Sequence, residues 1–438
     1  MPPTSTASLT TLPAEPSELA LVQSPRQAAM ALRASTTRRS IIVGAGLHVA
    51  GAGYDPDSPL ATVVDTYRNW LHFPDPAPIF AALGVAAGHM LPGSPVWLML
   101  VGQASCGKTE VINSLLGLPN TISASTVSEA SLLSGSGKKD RDSQSTGGIM
   151  REIGPSGILL LKDFTSILRM DHDSRDKAIG ALGEIYDGRW NRPVGADGGR
   201  NLQWEGRMSV LAGCTPVIDD FASVMVPMGS RFMFFRFDLV NGWAQADKAL
   251  ESAGVMAAAR ESIQYSVQEL FRSTMIPKRS IAVKGENRKR LISLANFTIR
   301  CRAHVTRDYR NHEIISVSEP EAPGRFVTAI QQLYQGMTVV GVLEEEAWRV
   351  TCRVAMDSMP ALRLRVIQAL STSGKHVPTY ETNELAHSLQ YPATPVRRCL
   401  EDLEALRIIE KDASGKTHSW QMTEASLYEY RCSFPKSK

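Results

Sequence analysis

Apolar positions in this chain fall into short unbroken runs separated by stretches of helical spacing. Residues 96–101 read VWLMLV, an apolar run of buried-strand length, followed by a glycine-bearing loop and the helical pattern TEVINSLLGLP. Further runs of the same kind lie at Ile158–Leu161 and Met208–Ala212, again alternating with helical patterns. Continuous apolar strands set between helices predict a mostly parallel sheet covered on both faces, an α/β fold. Upstream, residues 60–89 predict two helices split at Pro74-Asp75-Pro76, because proline stops one helix and can open the next. Together they form a small helical segment ahead of the main domain. Beyond about Asn241 the pattern turns helical, and from about Pro360 it predicts three short helices and a hairpin with a Ser-Gly turn at 414–415, the order of a winged helix-turn-helix.

Composition adjusts the two ends of this picture. Residues 1–40 are rich in Ser, Thr, Pro and Ala and predict a flexible arm, since such a segment buries too little surface to offset its ordering entropy. Residues 41–53, IIVGAGLHVAGAG, miss the GxGxxG spacing because Val49 stands at its last glycine, and they read as a small-residue loop or strand. The 438 residues predict about two to four folding units.

Charge is nearly balanced, with 47 basic against 44 acidic residues, so any polyanion-binding surface has to be local. Residues 272–310 hold eleven Lys or Arg against Glu286 and Asp308, which fits either a solvated helix face or a surface for a polyanion. Six cysteines without CxxC spacing indicate neither zinc nor a disulfide framework and suit a reducing cytoplasm. No apolar run reaches the roughly 20 residues of a membrane span, so a cytoplasmic chain without a membrane partner is expected.

The loop Gly102-Gln103-Ala104-Ser105-Cys106-Gly107-Lys108-Thr109 matches G-x-x-x-x-G-K-[ST]. Its glycines let backbone N–H groups close around phosphates at a helix N-terminus. The pattern predicts ATP with Mg²⁺: Lys108 for the β- and γ-phosphates, the Thr109 hydroxyl for the metal. Asp163, after ILLLK, stands where a second strand would offer the metal a carboxylate, although it also suits a helix N-cap. Phe164 follows where many ATPases carry a glutamate that orients the attacking water, so the catalytic base is unassigned.

In this order the features from about Ser94 to Val340 resemble the AAA+ ATPase module of minichromosome-maintenance (MCM) type helicases, in a form similar to predicted helicases of phages and mobile elements. The stretch from STVSEASLL to ILLLKDF resembles that clade's helix-2 insert and the strand after it. ALGEIYDGRW resembles the helix leading into its pre-sensor hairpin. VLAGCTP resembles its sensor strand, with Thr215 where the family usually has Asn. GSRFMFFRFD resembles its arginine-finger motif and singles out Arg231, whereas EAPGRFVTAIQQLYQG resembles the lid helix with a second sensor arginine, Arg325. The resemblance implies a P-loop AAA+ parallel sheet and five segments: 1–40 an arm, 41–93 an N-terminal helical segment, 94–240 the ATPase core, 241–358 a helical lid with the basic segment, and 359–438 a winged helix. It also implies an ATPase that assembles into a homo-oligomeric ring, probable size six, with Arg231 supplied in trans. Arg325 would sense the same phosphate from within the subunit. The bland alternative pairs Arg231, or nearby Arg236, with a carboxylate at a strand end.

Two loops would face a DNA strand in such a ring: 134–148 with Lys138, Lys139 and Arg141, and 188–207 with Arg189, Trp190, Arg192, Arg200, Trp204 and Arg207. Cations neutralise phosphates and indoles offer stacking faces, unless the tryptophans are anchored in the core. Thr394, Arg397 and Arg398 open the presumed recognition helix. The reading is therefore a ring-forming DNA helicase of a phage or mobile element, with DNA, further copies of itself and replication proteins as partners. A nucleotide-switched DNA-binding regulator or helicase loader with slow hydrolysis, and a MoxR-like protein remodeller, are the rival readings.

Overall fold

Both faces of the strand at residues 97–101 are covered, which is why its sequence has no polar position. The structure is a computed structural model that describes residues 53–133, 148–194, 200–238, 242–279, 281–371, 378–412 and 418–433. All of these belong to one compact unit, Leu47–Lys438. Helices α1 (Pro59–Trp70) and α2 (Ala77–Met90) precede strand β1 (Trp97–Val101), helix α3 (Lys108–Asn113) and strand β2 (Thr121–Ala124). Next come β3 (Ser156–Leu161), α4 (His172–Tyr186), the hairpin β4 (Arg189–Val194) and β5 (Arg200–Glu205), then β6 (Arg207–Cys214) and β7 (Phe232–Arg236). They are followed by α5 (Met256–Ser273), α6 (Gly285–Arg302), the hairpin β8 (Val305–Arg307) and β9 (Ile314–Val317), α7 (Gly324–Val339) and α8 (Glu344–Asp357).

Five strands form one wholly parallel sheet in the order β2-β3-β6-β1-β7, so the expected α/β class is the observed one. Its side chains alternate strictly between two cores. Leu98, Leu100, Ile158, Leu160, Leu211, Met233 and Phe235 face one layer, where helices α1, α2, α3, α5, α6, α7 and α8 also bury residues. Trp97, Met99, Leu159, Leu161, Val210, Ala212, Phe232 and Phe234 face the other, beneath α4 and the β4–β5 hairpin. Each fully buried aliphatic side chain contributes roughly 1.5–3 kcal/mol, so these two layers hold the strand ends in register.

The break at Pro74-Asp75-Pro76 separates α1 from α2 as expected, with the Asp75 carboxylate accepting from the Ala77 N–H at 3.0 Å. These helices do not stand ahead of the main domain, however. They belong to its first layer, because α2 lies directly against α7. A Cβ on Gly336 would meet the Gly84 carbonyl oxygen at 2.1 Å and the Gly88 nitrogen at 2.6 Å, so the two helices touch backbone to backbone. Gln332 fixes the contact by donating to the Gly88 carbonyl at 2.8 Å.

The C-terminal residues contain α9 (Ala361–Leu370), β10 (Tyr380–Glu381), α10 (Thr382–Ser388), α11 (Ala393–Ala405), β11 (Ile409–Asp412), β12 (Ser419–Met422) and α12 (Glu424–Ser433). Their three strands form an antiparallel sheet in the order β10-β12-β11 over a third core, to which α6, β8 and the end of α8 also contribute Phe297, Val305 and Met356. The three helices and the hairpin were expected, but β10 and α12 were not. The Ser-Gly turn lies outside the described residues. Part of the basic stretch 272–310 serves this core: Arg300 holds Glu429 at 2.6 Å and Arg307 holds Asp402 at 2.7 Å and Glu401 at 3.0 Å. For these arginines a polyanion-facing role is replaced by internal ion pairing. Among the described residues no helix is long and apolar enough to cross a membrane.

Candidate nucleotide site and its opposite edge

The phosphate loop runs from the end of β1 into α3, with β1 between β6 and β7. Gly102 donates to the Cys214 carbonyl at 3.1 Å, which ties the loop's first residue to β6. Two residues take left-handed backbone, Ser105 at φ 64° and Gly107 at φ 94°. A Cβ on Gly107 would lie 2.7 Å from the Phe73 ring, so only glycine fits between that ring and the loop. Among the described residues no backbone carbonyl accepts from the N–H groups of Ser105, Gly107 or Lys108. Those donors, at a helix N-terminus with its positive dipole end, suit an anion.

The Lys108 ammonium folds back over the loop, donating to the carbonyls of Gly102 at 2.7 Å and Gln103 at 2.6 Å, and lies 3.6 Å from the Cys106 sulfur. Gln103, Ala104, Ser105 and Thr109 are exposed. Two contacts at the loop were not legible in the sequence. Gln245 donates to the Ser105 carbonyl, and Arg260 grips Glu110 of α3 with two bonds of 2.9 and 2.7 Å.

Asp163 follows β3 and Thr215 follows β6, so both lie at the same sheet edge as the loop. Thr165 joins them. Its backbone N–H donates to the Asp163 carboxylate at 2.9 Å, and its hydroxyl accepts from the Thr215 N–H at 3.3 Å. Burial pushes the Cys214 thiol pKa up, with smaller effects from the Thr165 hydroxyl, from Asp163 and from Lys108, so the loop lysine and the carboxylate both act at this strand end. Asp163 is exposed, whereas Phe164 is fully buried with its ring 5.4 Å from that of Phe232. Phe164 is thus a core residue, and no acidic side chain stands directly after Asp163.

Arg231 and Arg325 lie elsewhere. Arg231 immediately precedes β7, whose first residue Phe232 pairs with Trp97, the first residue of β1. The loop begins one residue after the other end of β1, which places Arg231, level with Val96, about 20 Å away along the strand axis at 3.3 Å per residue. Arg231 donates to Asp187 at 2.6 Å, and Arg325 lies 3.6 Å from the other oxygen of the same carboxylate. Both guanidinium groups stand over the Tyr186 ring, at 5.8 and 5.9 Å from its centre. Burial pushes the Tyr186 phenol up to about 12, against opposing effects from both arginines. The expectation that Arg325 senses the phosphate of its own subunit is corrected by this placement: it shares a carboxylate with Arg231 at the far edge. The strand-end pairing weighed for Arg231 and Arg236 is present for both, since Arg236 forms a two-pronged pair with Asp219 at 2.8 Å.

The residues singled out for DNA divide. Lys138, Lys139 and Arg141 lie outside the described residues, as does the side chain of Arg200. In the β4–β5 hairpin Trp190 pairs opposite Trp204, and both are buried, Trp204 donating to the Gly154 carbonyl at 2.8 Å. They are anchors and offer no stacking face. Arg192 is spent on Glu129 at 3.2 Å and on the Leu133 carbonyl, and Arg207 on the carbonyls of Leu91 at 2.8 Å and Gly93 at 3.0 Å. Both guanidinium groups are thus engaged with the backbone of their own chain. Arg189 remains exposed beside Glu205. Thr394 and Arg397 are exposed in the first two turns of α11, and with Arg398 they line an open cleft between that helix and the β8–β9 hairpin.

No family model matches the chain, and no curated protein matches it. Thirty-three chains of solved structures do. One of them is titled "SCCmec type IV Cch - active helicase", 11% identical, with a TM-score of 0.36 over 88% of this chain and 75% of that one.

Proposed function

We propose that this chain is an ATP-driven, ring-forming motor on DNA, of the MCM-like helicase type found in phages and mobile elements. The observation that carries the reading is the separation of the two halves of the site. A phosphate loop with unengaged N–H donors lies at one edge of the sheet, and a pair of arginines lies about 20 Å away at the other. Arginines so placed cannot serve the loop of their own subunit. They can serve the loop of a neighbour, and head-to-tail repetition of that contact closes a ring.

In the assembled site the N–H groups of Ser105, Gly107 and Lys108 hold the phosphates, and the Lys108 ammonium exchanges its loop carbonyls for phosphate oxygens. The Thr109 hydroxyl and the exposed Asp163 carboxylate would hold Mg²⁺, which would supply charge neutralisation for the triphosphate. Thr215 fixes the strand end through Thr165. Arg231 and Arg325 of the adjacent copy neutralise charge on the transferring phosphoryl group. Exposed Arg189 on the β4–β5 hairpin reaches the DNA strand, and the C-terminal helices and sheet act as a winged helix presenting Thr394 and Arg397. The test is DNA-stimulated ATP hydrolysis and strand displacement, with Lys108→Ala as control. Nucleotide binding unaccompanied by any effect of DNA on turnover would overturn the reading.

One observation favours a second reading. With Phe164 in the core, no carboxylate follows Asp163 to orient water, which suits a nucleotide-switched regulator or loader that hydrolyses slowly. Single-turnover measurements separate the two, since a switch stays bound to intact ATP long after a motor has turned over.

A further inference from the structure

Asp187 follows the last residue of α4, and its carboxylate is tied to both Arg231 and Arg325. Two guanidinium groups over one tyrosine ring repel each other, and the carboxylate between them offsets that repulsion. The C-terminal end of α4 adds the negative end of its dipole at the same point. Exposure separates the roles. The Arg231 side chain is 14% exposed, that of Arg325 39%, and that of Asp187 49%, so the carboxylate stands at the surface with the guanidinium groups gathered around it. This anchor has nothing to do with the loop at the opposite edge.

We infer that Asp187 is the positioning residue that holds Arg231 and Arg325 side by side as one two-pronged cationic surface for the triphosphate bound by a second copy of the chain. The inference rests on the proposed completion of each site by a neighbour. In that arrangement the carboxylate fixes the spacing and direction of the two arginines before the partner arrives, so that assembly does not have to bring two like charges together. It touches neither nucleotide nor metal.

The experiment uses the full chain and steady-state ATP turnover. Asp187→Asn is expected to lower kcat about tenfold while leaving KM for ATP within about twofold, because nucleotide is held by the loop at the other edge. Asp187→Glu, which keeps the charge, is expected to recover most of the loss. In an Arg325→Ala background Asp187→Asn should cost less than in the wild type, because one of the two charges it holds together is gone; a purely structural role would give the same loss in both backgrounds. Mixing adds a check on the reading beneath. Lys108→Ala subunits keep their arginines and Arg231→Ala subunits keep their loops, so the mixture should regain turnover that neither has alone. The same mixture made with Lys108→Ala/Asp187→Asn subunits should regain only about a tenth as much. If Arg231→Ala alone turns over at the wild-type rate, the trans reading fails. If Arg231→Ala is inactive and the Asp187→Asn mixture regains turnover in full, the trans reading stands and the role of Asp187 is overturned. Should Asp187→Asn fold poorly, Asp187→Glu and Arg325→Ala decide, because a Glu variant with kcat as low as Arg231→Ala would also overturn it.

Discussion

The two edges of the parallel sheet are built on opposite principles. At the edge that carries the phosphate loop, the donors of Ser105, Gly107 and Lys108 have no backbone acceptor among the described residues, and Asp163 is exposed. At the far edge the polar and charged groups already have partners: Arg231 and Arg325 on Asp187, Arg207 on two carbonyls, and the neutral His89 between two serines. An edge with unengaged donors suits a ligand that comes and goes. An edge of satisfied charges suits a surface that must keep its shape until a second copy meets it. The largest expected effects test that contrast directly. Lys108→Ala should lose nucleotide binding and with it turnover, whereas Arg231→Ala should bind a fluorescent ATP analogue as the wild type does and lose roughly a thousandfold in turnover. Loss of binding in Arg231→Ala would place both edges in one site and dissolve the contrast.

How much of this was legible in the sequence follows from how local each signal is. The phosphate loop is eight consecutive residues whose glycines and lysine act where they stand, so the pattern was sufficient. Strands β1, β3 and β6 were legible because burial on both faces leaves nearly continuous apolar runs. Edge strand β2, TISA, is half-exposed throughout and carries no such run. Asp187 gave no signal at all, because its partner Arg231 lies 44 residues away and only the fold brings them together. The hairpin tryptophans illustrate the converse. Alternation in a two-stranded ribbon shows that Trp190 and Trp204 share a face without showing which face is wet. Phe164 was noticed for the acidic residue it replaces, and its place in the core gives the reason a carboxylate does not fit there.

That reason has a measurable form. Phe164→Ala should lower stability by roughly 3–5 kcal/mol, as removal of a fully buried aromatic does, read as a shift in the denaturant midpoint. A shift below about 1 kcal/mol would return the position to the nucleotide site as a surface residue. On the first-layer side of the sheet, Gly336→Ala should cost about 1–3 kcal/mol, because its methyl group has to part α7 from the backbone of α2. Since Gly336 lies far from both Lys108 and Arg231 in the chain and packs between helices, the loss should appear in melting and leave the affinity for nucleotide unchanged.

The smallest effect concerns the satisfied edge alone. His89 is 8% exposed at the end of α2, its ring nitrogens 3.1 Å from the hydroxyls of Ser209 and Ser156. Burial, with a further push from the Arg207 guanidinium, lowers its pKa from 6.5 to about 4, so the folded chain holds the ring neutral where the unfolded chain would protonate it. Unfolding then takes up a proton below pH 6.5. The stabilisation is complete above that value and is lost as pH falls toward about 4. Between pH 7.5 and 5 this group should remove on the order of 1–2 kcal/mol of stability. His89→Asn carries no titrating proton, so the difference between wild type and variant should narrow by that amount over the same interval, with the other titrating groups cancelling in the comparison. A difference that stays constant with pH would mean that His89 titrates normally and that water reaches its ring.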